Sequence, residues 1–215
     1  MTIKNCLGDR YIGTALTEGC ITIHGTPGNA LGAYLDGGTL IVHGNAQDAV
    51  GDTMNDGRII IHGNAGDALG YAMRGGAIFV KGYGGYRTGI HMKEYQDKKP
   101  VIIIGGSVGS FLGEYLAGGL IVVLGLDSDT VPVGNFTGTG MHGGKIFIRT
   151  AKELTGLPAQ VAAEIAAPDD LGEIEPYLTE FAGYFGLDTA ALMKDRFYCL
   201  RPNAKNPYHQ MYTPN

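Results

Sequence analysis

The chain has no tryptophan, only three cysteines and nine prolines in 215 residues, and just 17% of its residues are charged. Cys6, Cys20 and Cys199 are odd in number and far apart, which fits neither a disulfide framework nor a zinc or iron-sulfur cassette. They read as free thiols of a reducing compartment. Nothing reaches the roughly 18 uninterrupted apolar residues that a membrane span requires. The opening Met1-Thr2-Ile3-Lys4-Asn5-Cys6 has no signal-peptide core either. A cytoplasmic location and no membrane partner are therefore expected. A net charge of -5 without a clustered basic face excludes a nucleic-acid footprint. An apolar share of 44% excludes disorder.

Glycine is what the chain has in excess: 36 residues, more than double the roughly 7% of an average protein. No Gly-X-Y period appears, so collagen is excluded. Of the 36, 32 precede residue 150, and they recur. Gly13, Gly32, Gly51, Gly70 and Gly89 are each 19 apart, and two sister series, Gly19 to Gly76 and Gly25 to Gly82, keep the same step. The register returns at Gly113 and at Gly138, after one insertion of five residues and one of six, which makes seven units.

Self-similarity at this period announces a solenoid, because one unit cannot bury its apolar side alone. Two positions behind the third glycine stand Ile23, Val42, Ile61, Val80, Ile104, Val123 and Ile148. Four behind it stand Ile21, Leu40, Ile59, Ile78, Ile102, Ile121 and Ile146. Paired aliphatic positions separated by one residue have the period of a strand. Two more inward series flank the first glycine of each unit, Ile12 to Thr137 before it and Leu16 to Met141 after it. Glycine at the corners Gly13, Gly32, Gly51, Gly70, Gly89, Gly113 and Gly138 allows the chain to bend sharply. The expected fold is an all-β, single-stranded parallel β-helix of about seven turns over residues 1 to 150, right-handed by the general crossover preference. Residues 151 to 215 hold four glycines. Thr155 to Ala167 and Leu171 to Met193 show helical apolar spacing broken by Pro168, Pro176 and Gly186, and this segment is expected to cap the last turn. The proline-broken run Leu200 to Tyr212 reads as an extended arm.

Few constellations carry chemistry. Val101 to Gly113 mimics a strand and dinucleotide loop, but the repeat register accounts for its glycines. His24, His43 and His62 occupy one position in three successive turns and read as an exposed polar ladder, since no carboxylate or thiolate completes a metal shell. Asp48 and Asp67 read as turn residues whose side chains bond nearby amides. No Gly-x-Ser-x-Gly elbow occurs, and Thr2 reads as part of a leader strand. The expected catalytic, cofactor and metal residues are none. The two insertions, His91 to Lys99 and Leu126 to Asn135, mark candidate contact loops. The candidate partner contacts are His91, Lys93, Glu94, Tyr95, Asp127, Asp129, Arg201 and Tyr208.

The motifs Gly-Asn-Ala-Gly-Asp-Ala-Leu-Gly at 63 to 70, Met73-Arg74-Gly75-Gly76 and Gly138-Thr139-Gly140-Met141-His142-Gly143-Gly144 resemble the GXGXG β-helix domain of the glutamate synthase large subunit. That family also includes a free-standing archaeal-type subunit and is related to the glycine-repeat subunit of formylmethanofuran dehydrogenase. The likeness covers about residues 8 to 150. Gly89-Ile90-His91-Met92-Lys93-Glu94-Tyr95 and the Arg201-Pro202 and Pro207-Tyr208 tail look closer to the free-standing glutamate synthase type. The resemblance implies a scaffold subunit that holds no cofactor, packed between a glutaminase subunit and a synthase subunit carrying FMN and an iron-sulfur cluster. The alternatives it leaves are a methylamine-glutamate transferring complex, formylmethanofuran dehydrogenase, or a homo-oligomeric module without a redox partner.

Overall fold

Alternating inward aliphatic residues wind the chain into a right-handed parallel β-solenoid of six to seven turns in the computed structural model, which describes residues 1–203. Strands β1 (Thr2–Leu7), β2 (Cys20–Thr26), β3 (Asp36–His43), β4 (Asp56–Ile61), β5 (Ala77–Val80), β6 (Val101–Ile104), β7 (Ala117–Val123) and β8 (Gly143–Arg149) lie side by side in chain order. Their register is the one that the repeat dictates. Ile21, Leu40, Ile59, Ile78, Ile102, Ile121 and Ile146 are successive partners, as are Ile23 through Ile148 two positions on. All of these except the half-buried Ile21 are fully enclosed in the first core. Thr88 and Thr137, polar residues at inward positions, give their hydroxyls to the carbonyls of Gly85 and Gly134.

The solenoid has two further flanks. One is a narrow ladder of single bridges through Ala46, Ala65, Gly84, Val108 and Val133. The other carries positive φ at more positions than the corner glycines. Around each corner glycine, the residues two before and two after are also left-handed: Tyr11 and Ala15 about Gly13, Ala30 and Tyr34 about Gly32, Ala49 and Thr53 about Gly51. A non-glycine residue in this region costs about 1–2 kcal/mol. What offsets it is hydrogen bonding along the column: Ala30 N–H donates to Asp48 O at 2.9 Å in the next turn and Gly32 N–H to Ile12 O at 2.8 Å in the one before. Alternating handedness aims successive peptide groups up and down, so this left-handed flank stays flat and its backbone paired. The corner glycines themselves point their missing Cβ inward. At Gly113 (φ 62°) a Cβ would lie 2.6 Å from Ile146 Cδ1 of the following turn.

The C-terminal segment folds onto the column in two ways. Thr155–Ala167, expected as a helix, contains instead strand β9 (Val161–Ile165); Val161 and Ala163 share one face at a period of two and pack on the first core. Strand β10 (Phe197–Pro202) takes the first residues of the expected arm, because Phe197 and Cys199 face one core while Tyr198 and Leu200 face the other. β10 pairs antiparallel with β8 and with β9, which covers the last turn's edge. Helix α1 (Pro168–Phe185) starts at Pro168, continues through Pro176 and ends on left-handed Gly186; α2 (Thr189–Met193) follows, its first turn capped by Asp188. Helix α1 lies across the outer face of β4–β8. There Ile60, Phe79, Ile103, Val122 and Phe147 form a second core with Ile174, Leu178 and Phe181. Among the described residues, no helix is long and apolar enough to cross a membrane.

Candidate functional site

The outward side chains form ladders because equivalent residues of neighbouring turns sit one strand spacing apart. His24, His43 and His62 stack with ring centroids 4.8 and 4.7 Å apart, and His62 meets the edge of Phe185 at the end of α1. Burial lowers the His62 pKa below its ordinary value, helped by His43 and Lys81. Parallel rings at this separation present a row of edges rather than one convergent shell, and no group of three metal-binding side chains occurs among the described residues.

Asp48 and Asp67 do not bond amides of their own turn. Asp48 Oδ1 accepts Asp67 N–H at 2.9 Å and Asp67 Oδ1 accepts Tyr86 N–H at 2.8 Å, each from the following turn. Asn29 and Ser110 extend the same ladder, while Asn45 and Asn64 form a second. These side chains clip consecutive turns together. Neither buried thiol is poised for chemistry: burial pushes Cys199 up to about 11, and burial followed by Asp9 raises Cys6.

The first insertion is anchored rather than free. Tyr95 and Lys98 exchange two backbone hydrogen bonds in a tight reversal; Lys98 Nζ lies 3.4 Å from Asp36 and 3.2 Å from Asp56, and Lys99 Nζ lies 2.7 Å from Glu173 on α1. Glu94 accepts Gly119 N–H at 3.1 Å, and Lys93 N–H donates to Met73 O at 3.0 Å. His91 stacks on Tyr115 at 5.0 Å and meets the edge of Tyr71 at 6.0 Å. Tyr95 is exposed. In the second insertion Asp127 lies 3.5 Å from Ser107 Oγ. Asp129 helps line a cavity of about 380 Å³ between that loop, Arg149 to Lys152 and Asp195. Arg201, on β10, pairs with Asp170 in the first turn of α1. Tyr208, with the rest of the expected arm beyond Asn203, lies outside the described residues. The candidate contacts thus do not converge on one centre.

Two features escaped sequence reasoning. The first is the charged clasp under α1, in which Lys145 reaches both Asp170 (3.0 Å) and Glu173 (2.7 Å). Burial raises the pKa of both carboxylates, but hydrogen bonds from Lys145, with Arg201 on Asp170 and Lys99 on Glu173, outweigh it and hold both below their ordinary values. The second is the left-handed flank, where Tyr11, Tyr34, Tyr71, Tyr86 and Phe136 stand exposed. Its signal was a tyrosine or phenylalanine recurring beside the corner glycine.

Residues 1–204 match the model of the GXGXG motif family, a wider span than the residues that carried the resemblance. An uncharacterized protein of Methanocaldococcus jannaschii is 44% identical over 226 residues, covering 100% of this chain and 86% of its own length. A solved chain superimposes with a TM-score of 0.67 at 26% identity, over 92% of this chain and 71% of that one. It comes from the crystal structure of the formyltransferase/hydrolase complex of Methylorubrum extorquens with methylofuran. This finding corrects the implied partners. The structural relative belongs with formyltransferase/hydrolase subunits, not with a glutaminase and an FMN and iron-sulfur synthase, and the labels of glutamate synthase, glutamate biosynthesis and nitrogen metabolism fall with them. With its fold and its repeat both matched along almost the whole length, the chain belongs to the GXGXG motif family.

Proposed function

We propose that this chain is a non-catalytic subunit of a multi-subunit complex of the formylmethanofuran dehydrogenase/hydrolase type, and that it holds the subunits that act on the formyl carrier. The observation that carries this reading is the likeness over 92% of the chain to a component of a formyltransferase/hydrolase complex. The geometry supports it: a solenoid with paired backbone on every flank is a rigid spacer, with Cys6 and Cys199 buried in its packing and Asp48 and Asp67 clipping consecutive turns. The three free cysteines also support a cytoplasmic setting. Affinity purification of the tagged chain from its native source tests the reading. The expected result is recovery with identified subunits that carry formyltransferase or hydrolase activity, an activity the isolated chain lacks. Recovery of the chain alone, or with subunits of unrelated chemistry, overturns it.

A further inference from the structure

Two flanks of the column are broad enough to receive another protein, and α1 already fills one. The left-handed flank is uncovered. Tyr34, Tyr71 and Tyr86 stand on it 54%, 40% and 53% exposed, above a floor of small residues such as Ala49 and Ala68. The floor is rigid, since its amides and carbonyls are paired from turn to turn. Rigid tyrosines offer large contact area at low entropic cost, and they are enriched where proteins meet.

Charge identifies the occupant. Asp48, Asp52 and Asp67 lie on the same flank, and tyrosine amides bond two of them: Tyr34 N–H donates to the backbone carbonyl of Asp52 at 2.8 Å and Tyr86 N–H to the side-chain Oδ1 of Asp67 at 2.8 Å. None of the three has an ion-pair partner among the described residues. The carboxylates beneath α1 differ, for Asp170, Glu173 and Glu180 are each paired with lysine or arginine. On the flank itself, Arg87 is already engaged by Glu114 at 3.1 Å. Inter-turn hydrogen bonds fix Asp48 and Asp67 in place and leave one oxygen of each for an incoming donor.

We propose that this flank is the docking surface for a partner subunit that presents arginine and lysine side chains. Their stems lie along the tyrosine rings, and their charged ends close on the three aspartates. Arginine suits both halves of the site, since its planar cation stacks on aromatic faces and bonds carboxylates in pairs. The proposal rests on the subunit reading given above and adds which face is used and what chemistry meets it.

The test compares the purified complex with one carrying Asp48→Asn, Asp52→Asn and Asp67→Asn together. Asparagine keeps the oxygen that clips the next turn, as Asn29, Asn45 and Asn64 do. Melting of the isolated chain therefore stays unchanged while partner affinity falls at least tenfold and loses most of its salt dependence. Glu175→Gln, on the exposed side of α1, leaves affinity unchanged. A photo-reactive phenylalanine analogue in place of Tyr34 gives a second readout that needs no change of charge. It links to a partner peptide bearing arginine or lysine, whereas the same analogue at Glu175 does not. Unchanged affinity in the triple variant, or links from position 175 alone in an intact complex, overturns the docking face and leaves the subunit reading standing. A wild-type chain that purifies without partners overturns both.

Discussion

The sheet flank and the left-handed flank are built from the same coil, and they differ in what their outward residues leave undone. On the sheet flank the outward position changes along the column from Thr22 and Ile41 to Ile60, Phe79, Ile103, Val122 and Phe147. The later turns are apolar at this position without a break and α1 lies on them, with Phe181 6.5 Å from Phe79 and 4.7 Å from Phe185, while Ile41 packs at the margin of the same core. Gly105 is required first by the preceding turn, where a Cβ would collide with the Lys81 carbonyl oxygen, and it also leaves room for Phe181, whose Cζ would be 3.1 Å away. The earlier turns carry the histidine stack instead. On the left-handed flank no part of the described chain returns to cover the tyrosines, and its aspartates stay without cations. One flank completes the fold from within, and the other is prepared for something outside it.

Gly70→Val strikes the column that both flanks share and gives the largest effect. Positive φ at this corner and a Cβ directed onto Ile102 Cδ1 cost more than about 4 kcal/mol, read as loss of soluble, cooperatively melting protein. Phe181→Ala opens the second core and costs about 3–5 kcal/mol by denaturant unfolding, without changing the solenoid's strand signature by circular dichroism.

Breaking the clasp with Asp170→Asn and Glu173→Gln costs about 1–3 kcal/mol near neutral pH. Its sign with pH follows from the lowered carboxylate values. The contribution is fully present above the ordinary carboxylate pKa and is lost as pH falls through the lower folded values, because the unfolded chain then binds more protons. Melting temperature followed from neutral to acid pH therefore drops less steeply in the double variant than in the parent.

His43→Ala removes the middle ring of the stack and costs about 0.5–1.5 kcal/mol. Tyr34→Ala changes thermal stability by about 0.5 kcal/mol or less, because that side chain is more than half exposed and belongs to neither core. A loss as large as that of Phe181→Ala would erase the distinction between the flanks.

Much of the solenoid could be read directly. Period, strand ladders and corner positions followed from glycines and aliphatics recurring every 19 residues, because each turn repeats the same steric problem. The left-handed residues beside the corners could not, since Tyr34, Thr53 and Tyr115 have no intrinsic preference for positive φ and take it while their amides bond the adjacent turns. Thr155–Ala167 misled because its apolar spacing suits a helix as well as a strand; the free edge of the last turns decided in favour of strand. Six of the candidate contacts, His91, Lys93, Glu94, Tyr95, Asp127 and Asp129, lie in the two insertions, and the first insertion is itself tied down through Lys98 and Lys99 to Asp36, Asp56 and Glu173. Loop position alone does not distinguish an anchor from a contact.

By itself, then, the amino-acid order determined a stacked column with aliphatic ladders inside and glycine at its corners, because those constraints are local and repeat in every unit. Only the tertiary structure decided where the C-terminal segment goes. Pairs such as Arg58 with Glu180 and Phe79 with Phe181 join positions about a hundred or more residues apart, and no periodic pattern encodes such a pairing. The same long-range choice left the tyrosine flank bare, because a single helix can cover only one side of the column.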